Sequence, residues 1–219
     1  MNRFLPLAKI VRASALVLLV LAFAAPVRAQ ELAPDVLVKN VTLEVVDLIL
    51  KDSEIRAGSR ARLIQVIEAK VLPHFNFASM TALAMGQGWS KATPEQKRRL
   101  TEEFKTLLVR TYASALAAYS SQKFQFRPLR AKPTDTDVLV QVRVLQQGAQ
   151  PVPIEYSMEK TAAGWKVYDV MVGGVSLVAN YRTEFTNAVR ASGIDGLIKD
   201  LQTKNRTLEH VDKPAAVKK

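Results

Sequence analysis

Residues 164–185 read GWKVYDVMVGGVSLVANYRTEF, and the hydrophobic pattern changes within this stretch. Residues 165–172 are apolar at nearly every position, which is typical of a strand covered on both faces. After Gly173 and Gly174 the apolar spacing becomes helical. The helical stripe consists of Leu177, Val178, Tyr181, Phe185, Ala188 and Val189. We therefore expect the two glycines to turn a covered strand sharply into a helix.

Upstream of this stretch, apolar and polar residues alternate in three further runs, as they do in half-buried strands. The alternating apolar residues are Phe124 and Phe126, then Val138, Val140, Val142 and Val144, then Val152, Ile154, Tyr156 and Met158. Turn-forming residues separate the runs at 132–135, 147–148 and 163–164. Consecutive strands with short links predict a four-stranded antiparallel meander.

Helical periodicity precedes and follows the strands. Apolar residues recur at helical spacing in residues 34–51, between Gly58 and Pro73, and in residues 75–86. The sequence of residues 93–96, TPEQ, is a capping box that predicts a long helix up to about residue 120. Gly193 is expected to end the helix after the sheet, before a short one at 194–201. The fold class is therefore α+β: a curved four-stranded antiparallel sheet covered by several helices, an NTF2-like cone that encloses an apolar pocket.

The N-terminus has the layout of a secretory signal. Basic residues precede an apolar run of 13 residues at 13–25, and Val27 and Ala29 are small residues suited to cleavage near Ala29. The run is too short to cross a bilayer, which needs about 20 apolar residues. We predict a cleaved signal peptide at 1–29, one domain at 30–203, and a disordered basic tail at 204–219.

The composition indicates the cellular compartment and excludes several classes of site chemistry. The sequence contains no cysteine, so disulfides, thiolate catalysis and Cys-ligated metals are excluded. Removal of residues 1–29 leaves 27 basic and 20 acidic residues, a net charge of +7. An exported protein without disulfides fits the bacterial periplasm, where a basic surface favours anionic headgroups or acidic partners.

Two enzyme classes are alternatives to a binding function. Ser176, Asp195 and His210 stand in the chain order of an α/β-hydrolase triad, but GVSLV lacks the second glycine of the nucleophile elbow. Ser176 is better explained as the cap of the helix that follows it. The second alternative is a small-molecule isomerase that uses the same apolar pocket. It would employ Asp169, Tyr156 and Tyr168.

Metal and nucleic-acid sites are not expected. His74 and His210 are the only histidines, and neither has an acidic residue three or four positions later. The basic residues 97–99 share a helix with acidic residues 102 and 103, so they form a solvated face. We expect no catalytic residue, no metal, no cofactor and no nucleic-acid partner.

The chain resembles the MlaC family of periplasmic phospholipid-binding proteins, also called toluene-tolerance auxiliary proteins. The resemblance rests on WKVYD at 165–169, GVSLV at 174–178, Tyr181 with Arg182, and shorter matches between residues 72 and 112. It implies a carrier that binds a glycerophospholipid and is not an enzyme. It also implies shuttling between an outer-membrane lipoprotein/porin complex and an inner-membrane ABC transporter with an MCE-domain subunit, which maintains outer-membrane lipid asymmetry.

Periodicity and resemblance together suggest the residues that contact lipid. The expected lining consists of Met80, Leu83, Leu108, Tyr112, Leu116, Val140, Val142, Ile154, Tyr156, Val167, Val172, Val175, Val178 and Tyr181. Arg182 is the candidate for the headgroup phosphate, because a guanidinium suits phosphate oxygens. A salt bridge to an acidic neighbour is the alternative for Arg182.

Overall fold

The domain is built around a long helix that begins at the capping box. In this computed structural model, which describes residues 32–212, the helix is Pro94–Tyr119. The Thr93 hydroxyl accepts from the Gln96 amide at 3.2 Å, and the Gln96 side chain accepts from the Thr93 amide at 3.0 Å. Pro94 occupies the first turn, where its missing N–H costs no hydrogen bond. The predicted helix and its cap are confirmed.

All helices of the described residues are named in chain order. They are α1 (Pro34–Lys51), α2 (Ser53–Arg56), α3 (Arg60–Lys70), α4 (Phe77–Met85), α5 (Gly88–Lys91), α6 (Pro94–Tyr119) and α7 (Arg182–Asp212). Short 3-10 turns lie at Leu72–His74 and Ala179–Tyr181. Within this described part of the chain, no helix is long and apolar enough to cross a membrane.

The sheet is an antiparallel meander with five strands rather than the predicted four. The strands are β1 (Lys123–Phe126), β2 (Asp137–Leu145), β3 (Val152–Thr161), β4 (Gly164–Val172) and β5 (Val175–Ser176), paired in that order. Strand β2 alternates between exposed and buried residues, so one face of the sheet meets solvent there. No residue of β4 is exposed, as its apolar sequence predicts.

The two glycines form a hairpin, and the predicted direct turn into a helix is wrong. Gly173 and Gly174 have φ values of 60° and 84°, the left-handed values that a two-residue hairpin of type I′ requires at both positions. The chain folds back so that Val175 pairs with Val172. The 3-10 turn at Ala179–Tyr181 then leads into α7.

Three buried clusters hold the elements together. One joins α4, α6 and α7 through Leu100, Phe104 and Phe185. The second lies under the sheet and takes in Val38 from α1. The third packs α1, α3 and α6 together and consists of Val45, Ile49, Leu63, Ile67 and Ala113. Helix α1 therefore takes part in two clusters.

Helix α7 bends and then continues further than the sequence suggests. Gly193 has φ 71° and ψ −179°, so it breaks the helix where a terminator was expected. The second half runs to Asp212, so a disordered tail is wrong for residues 204–212. Asn205 is buried and donates to the Glu103 carbonyl at 2.9 Å and to its carboxylate at 2.8 Å, while Arg110 donates to the Asn205 carbonyl. Residues 213–219 of the predicted tail, and the signal peptide, lie outside the described residues.

The first prediction concerns this docking of α7. We expect Asn205→Ala to lower the free energy of unfolding by about 2 kcal/mol, because the partly buried carbonyl and carboxylate of Glu103 lose their shared donor. Thr207→Ala on the same helix is the matched control and should change it by less than about 0.5 kcal/mol. Urea unfolding measures both. Equal stabilities for the two variants would contradict the docking of residues 204–212.

Candidate functional site

An apolar cavity of about 390 Å³ lies between α1, α6 and the sheet. This volume falls within the range of about 300–1,000 Å³ that is usual for ligand pockets. Its walls come from α1, α3, the 3-10 turn at Leu72–His74, α4, α6 and strands β1, β3 and β4. Leu116 is 36% exposed and also lines the cavity, so the cavity reaches the surface beside the C-terminal half of α6.

The structure brings eight of the fourteen predicted lining residues to this cavity. They are Met80, Leu108, Tyr112, Leu116, Ile154, Tyr156, Val167 and Val172. Their contact with lipid stays a prediction, but their shared position follows from the periodicity of α6 and the alternation of β3 and β4. Each wall presents its inward residues to the same space.

The other six residues do not line the cavity, for three physical reasons. Val140 and Val142 face inward but are buried in the cluster between the sheet and Val38. Leu83, Val178 and Tyr181 belong to the helical cluster, where the Tyr181 ring meets Phe104 edge to face at 5.1 Å between centroids. Val175 lies on the hairpin and is 55% exposed.

Arg182 is not part of the lining either. Its Nε and Nη2 donate to the Leu83 carbonyl at 3.2 and 3.0 Å, near the C-terminal end of α4. This backbone carbonyl is the partner that the structure gives Arg182 where the sequence suggested an acidic neighbour, and its contact with a headgroup phosphate stays a prediction. The guanidinium therefore joins α7 to α4.

Helix α1 supplies the largest part of the lining that was not predicted. The α1 residues are Leu37, Val38, Val41, Thr42, Val45 and Val46. The helical periodicity of residues 34–51 identifies this apolar face, and that signal was present in the sequence. Periodicity alone does not reveal that the face spans the gap between the sheet and α6. Other unpredicted contributions are Ile67, Val71, Leu72, His74, Phe75, Phe77, Val109, Ala113, Ala115, Phe124, Met158, Val170 and Leu177.

Polar side chains are few in this lining. The Tyr156 hydroxyl is hydrogen-bonded to Thr42, which links β3 to α1. Burial raises the pKa of Tyr156 to about 12, an effect that the Thr42 hydrogen bond partly offsets. Burial also raises the pKa of Tyr112 to about 12, with a further contribution from hydrogen-bonded Tyr181. Both phenols therefore stay neutral at physiological pH.

The hydrolase alternative is not supported by the geometry of Ser176. The Ser176 hydroxyl donates to the buried Asp169 carboxylate at 2.6 Å and accepts from the Ala179 amide at 2.8 Å. It thus caps the 3-10 turn rather than the long helix that was expected to follow it. Asp195 instead accepts from the Gln96 side chain at 3.1 Å. The side chain of His210 lies outside the described residues.

The isomerase alternative requires three residues that the structure separates. Tyr156 lines the cavity, whereas Tyr168 and Asp169 do not. Tyr168 is hydrogen-bonded to Asp137 and Ser157, and burial raises its pKa. Asp169 also accepts from the Val170 amide at 2.8 Å, so its carboxylate serves the backbone around β4. Among the described residues, no group of three or more acidic or histidine side chains could hold a metal ion.

Comparison with known families agrees with this apolar site. Residues 39–203 match the sequence profile of the family described as "MlaC protein". The chain belongs to the MlaC family. The matched range covers all of the structural elements of the cavity except the first turn of α1.

Two curated relatives align over part of their length. Over 105 residues the chain is 32% identical to the toluene tolerance protein ttg2D of Pseudomonas putida. This alignment covers 48% of this chain and 48% of the relative. Over 140 residues it is 26% identical to the intermembrane phospholipid transport system binding protein MlaC of Haemophilus influenzae. That alignment covers 63% of this chain and 65% of the relative.

A solved structure has the same fold. It is the phospholipid-binding protein from Ralstonia solanacearum in complex with a phospholipid, which is 37% identical to this chain with a TM-score of 0.73. The match covers 80% of this chain and 98% of that one.

The second prediction concerns the pair Asp169 and Ser176 in this MlaC-family protein. Ser176→Ala should lower the free energy of unfolding by about 2 kcal/mol, because the buried carboxylate loses a hydrogen-bond donor. A double-mutant cycle with Asp169→Asn should give a coupling energy of at least about 1 kcal/mol. Ser192→Ala, which removes a hydroxyl bonded only to the Ala188 carbonyl in its own helix, is the control. Additive effects of the two changes would argue against the pair.

The third prediction concerns stability at alkaline pH. The pKa of Tyr156 is about 12 in the folded protein, against an ordinary value of about 10. The folded state therefore holds the phenol proton more tightly than the unfolded state. This stabilisation is complete below about pH 10 and is lost as pH rises through about 12. We expect Tyr156→Phe to lose less stability than wild type over this interval in urea unfolding; parallel curves would exclude the effect.

Proposed function

We propose that this protein is a phospholipid carrier that holds acyl chains in the cavity between α1, α6 and the sheet. The observation that carries the proposal is the cavity of about 390 Å³ with an almost entirely aliphatic and aromatic lining. The similar protein from Ralstonia solanacearum, whose structure contains a phospholipid, supports the same ligand class.

The energetics of lipid transfer explain why an enclosed site is needed. Two acyl chains contain on the order of 30 methylenes, and each is worth about 0.8 kcal/mol when it is kept from water. A lipid can therefore cross an aqueous space only if its chains stay covered. Aliphatic walls cover them without a preferred orientation, which suits a carrier that accepts chains of different lengths.

The proposed setting is the periplasm. The signal-like sequence at 1–29 and the name of the Haemophilus influenzae relative support transport between two membranes. In this role the protein receives or delivers glycerophospholipid at an outer-membrane lipoprotein/porin complex and at an inner-membrane ABC transporter with an MCE-domain subunit. It performs no chemical turnover and uses no cofactor, since the lipid is its cargo. The sheet curves around that cargo as an NTF2-like cone.

The fourth prediction tests whether the cavity is the lipid site. Val41 lines the cavity, whereas Leu43 on the same helix is 45% exposed and does not. Val41→Trp should occupy the space of the chains and reduce co-purifying phospholipid severalfold, while the matched control Leu43→Trp should leave it unchanged. Native mass spectrometry of protein purified without detergent measures the bound lipid, and circular dichroism checks the fold.

The outcome against the carrier function is equally specific. A wild-type protein that stays folded, purifies without lipid and never acquires phospholipid from vesicles would refute it. Equal lipid content in the two tryptophan variants would refute the assignment of the cavity.

A further inference from the structure

The cavity contains one cationic candidate for the charged part of an amphiphile. Among the described residues that line it, His74 is the only side chain that can carry a positive charge. It lies at the end of the 3-10 turn Leu72–His74 and is partly buried. An anionic group attached to chains in this cavity can therefore meet a hydrogen-bond donor of the lining at the His74 imidazole.

A lysine is fixed next to this histidine by the fold. Residues after the turn extend the free edge of β4, where Phe75 pairs with Val167 and the Asn76 amide donates to the Val167 carbonyl at 2.8 Å. Lys166 is therefore brought beside the turn, and its Nζ donates to the Pro73 carbonyl at 2.6 Å. The Lys166 ammonium is thus bonded to the residue before His74, although Lys166 does not itself line the cavity.

The surroundings of the pair include both signs of charge. Burial lowers the pKa of His74, and the positive charge of Lys166 lowers it further, while Glu44 on α1 raises it. Glu44 is itself paired with Lys70 of α3 at 2.6 Å. Glu159, which lies opposite Lys166 in the sheet, accepts from the Asn76 side chain at 2.7 Å. Both carboxylates are thus engaged by other groups.

We propose that His74 and Lys166 bind the phosphodiester of the lipid whose chains occupy the cavity. This inference rests on the proposed carrier function and identifies the residues that contact the lipid headgroup. A histidine and a lysine can each donate a charge-assisted hydrogen bond to a phosphate oxygen. A free phosphate ion offers the same oxygens, so the test separates the two sources.

The first experiment compares lipids with and without a phosphate. Delipidated protein is incubated with phosphatidylglycerol vesicles that contain a minor fraction of diacylglycerol with the same acyl chains, and bound lipid is measured by mass spectrometry. In the double variant His74→Gln, Lys166→Gln, the ratio of bound phosphatidylglycerol to diacylglycerol should fall about tenfold, since hydrogen bonds to a charged group are lost. Diacylglycerol should still bind, which shows that the variant is folded.

The control for this experiment is Arg182→Gln, which removes a guanidinium outside the cavity and should leave the ratio unchanged. An unchanged ratio in the double variant, or a fall with Arg182→Gln instead, would overturn the proposal. If wild-type protein binds neither lipid, the carrier function itself fails, and the headgroup site with it. Failure of the headgroup site and failure of the carrier function are distinguishable, because diacylglycerol has no phosphate and its binding depends on the cavity alone.

A second measurement follows His74 in protein whose proposed headgroup site is unchanged. The two histidines give separate NMR signals, with His210→Asn used for assignment. A phosphate beside His74 favours the imidazolium, so phosphatidylglycerol should raise the pKa of His74 and diacylglycerol should not. No rise with phosphatidylglycerol would overturn the proposal. An equal rise with inorganic phosphate at the same concentration would assign the pair to free phosphate and overturn the headgroup role.

Discussion

The structure depends on keeping apolar walls apart that would gain energy by closing on one another. A cavity without packed contents forfeits the dispersion contacts of its lining, so its walls must be held by packing elsewhere. Helix α1 is held in this way at two places. Val38 enters the cluster under the sheet, while Val45 and Ile49 enter the cluster with α3 and α6. Val38 and Val45 also line the cavity, so two of the residues that anchor α1 are themselves part of the cavity wall.

The two sides of the cavity differ in how firmly they are fixed. Helices α6 and α7 share a buried cluster, in which the rings of Phe104 and Phe185 lie 5.0 Å apart, and a buried polar contact at Asn205. Polar links from α1 include the Thr42–Tyr156 hydrogen bond and the half-exposed pair of Glu44 with Lys70. Exposed ion pairs contribute about 0–1 kcal/mol. The α6–α7 pair therefore has a buried polar contact in addition to its apolar cluster, whereas the ion pair of α1 adds little to the two apolar clusters that hold this helix.

Local signals in the sequence were sufficient for most of the fold. The capping box located α6 because both partners lie within four residues, and alternation located β2 and β3 because one face of each is wet. The same reasoning failed at Gly173 and Gly174, since a strand of two residues leaves no period to detect. It also failed after residue 203, where polar composition concealed a buried Asn205 whose partners are about a hundred residues away.

The lining of the cavity shows a further limit of periodicity. Alternation correctly turns Val140 and Tyr156 to the same side of the sheet, where both belong to the cluster with α1, but it does not report that only Tyr156 lines the cavity. Whether an inward-facing side chain of the sheet lines the cavity depends on where α1 crosses the sheet, and that crossing is a tertiary contact. For the same reason the sequence neighbours of Arg182 did not reveal that its Nε and Nη2 donate to the Leu83 carbonyl.

A nearly uniform apolar lining also has a consequence for release. If the walls resemble the interior of a bilayer, each methylene has about the same free energy in the protein as in the membrane, and transfer in either direction is close to neutral. Many polar groups in the lining would disturb this balance, because each would have to lose its partner when chains enter or leave. The hydroxyls of Thr42 and Tyr156 avoid that cost by bonding to each other. Binding strength and exchange are therefore compatible in this cavity because the polar groups of its lining are few.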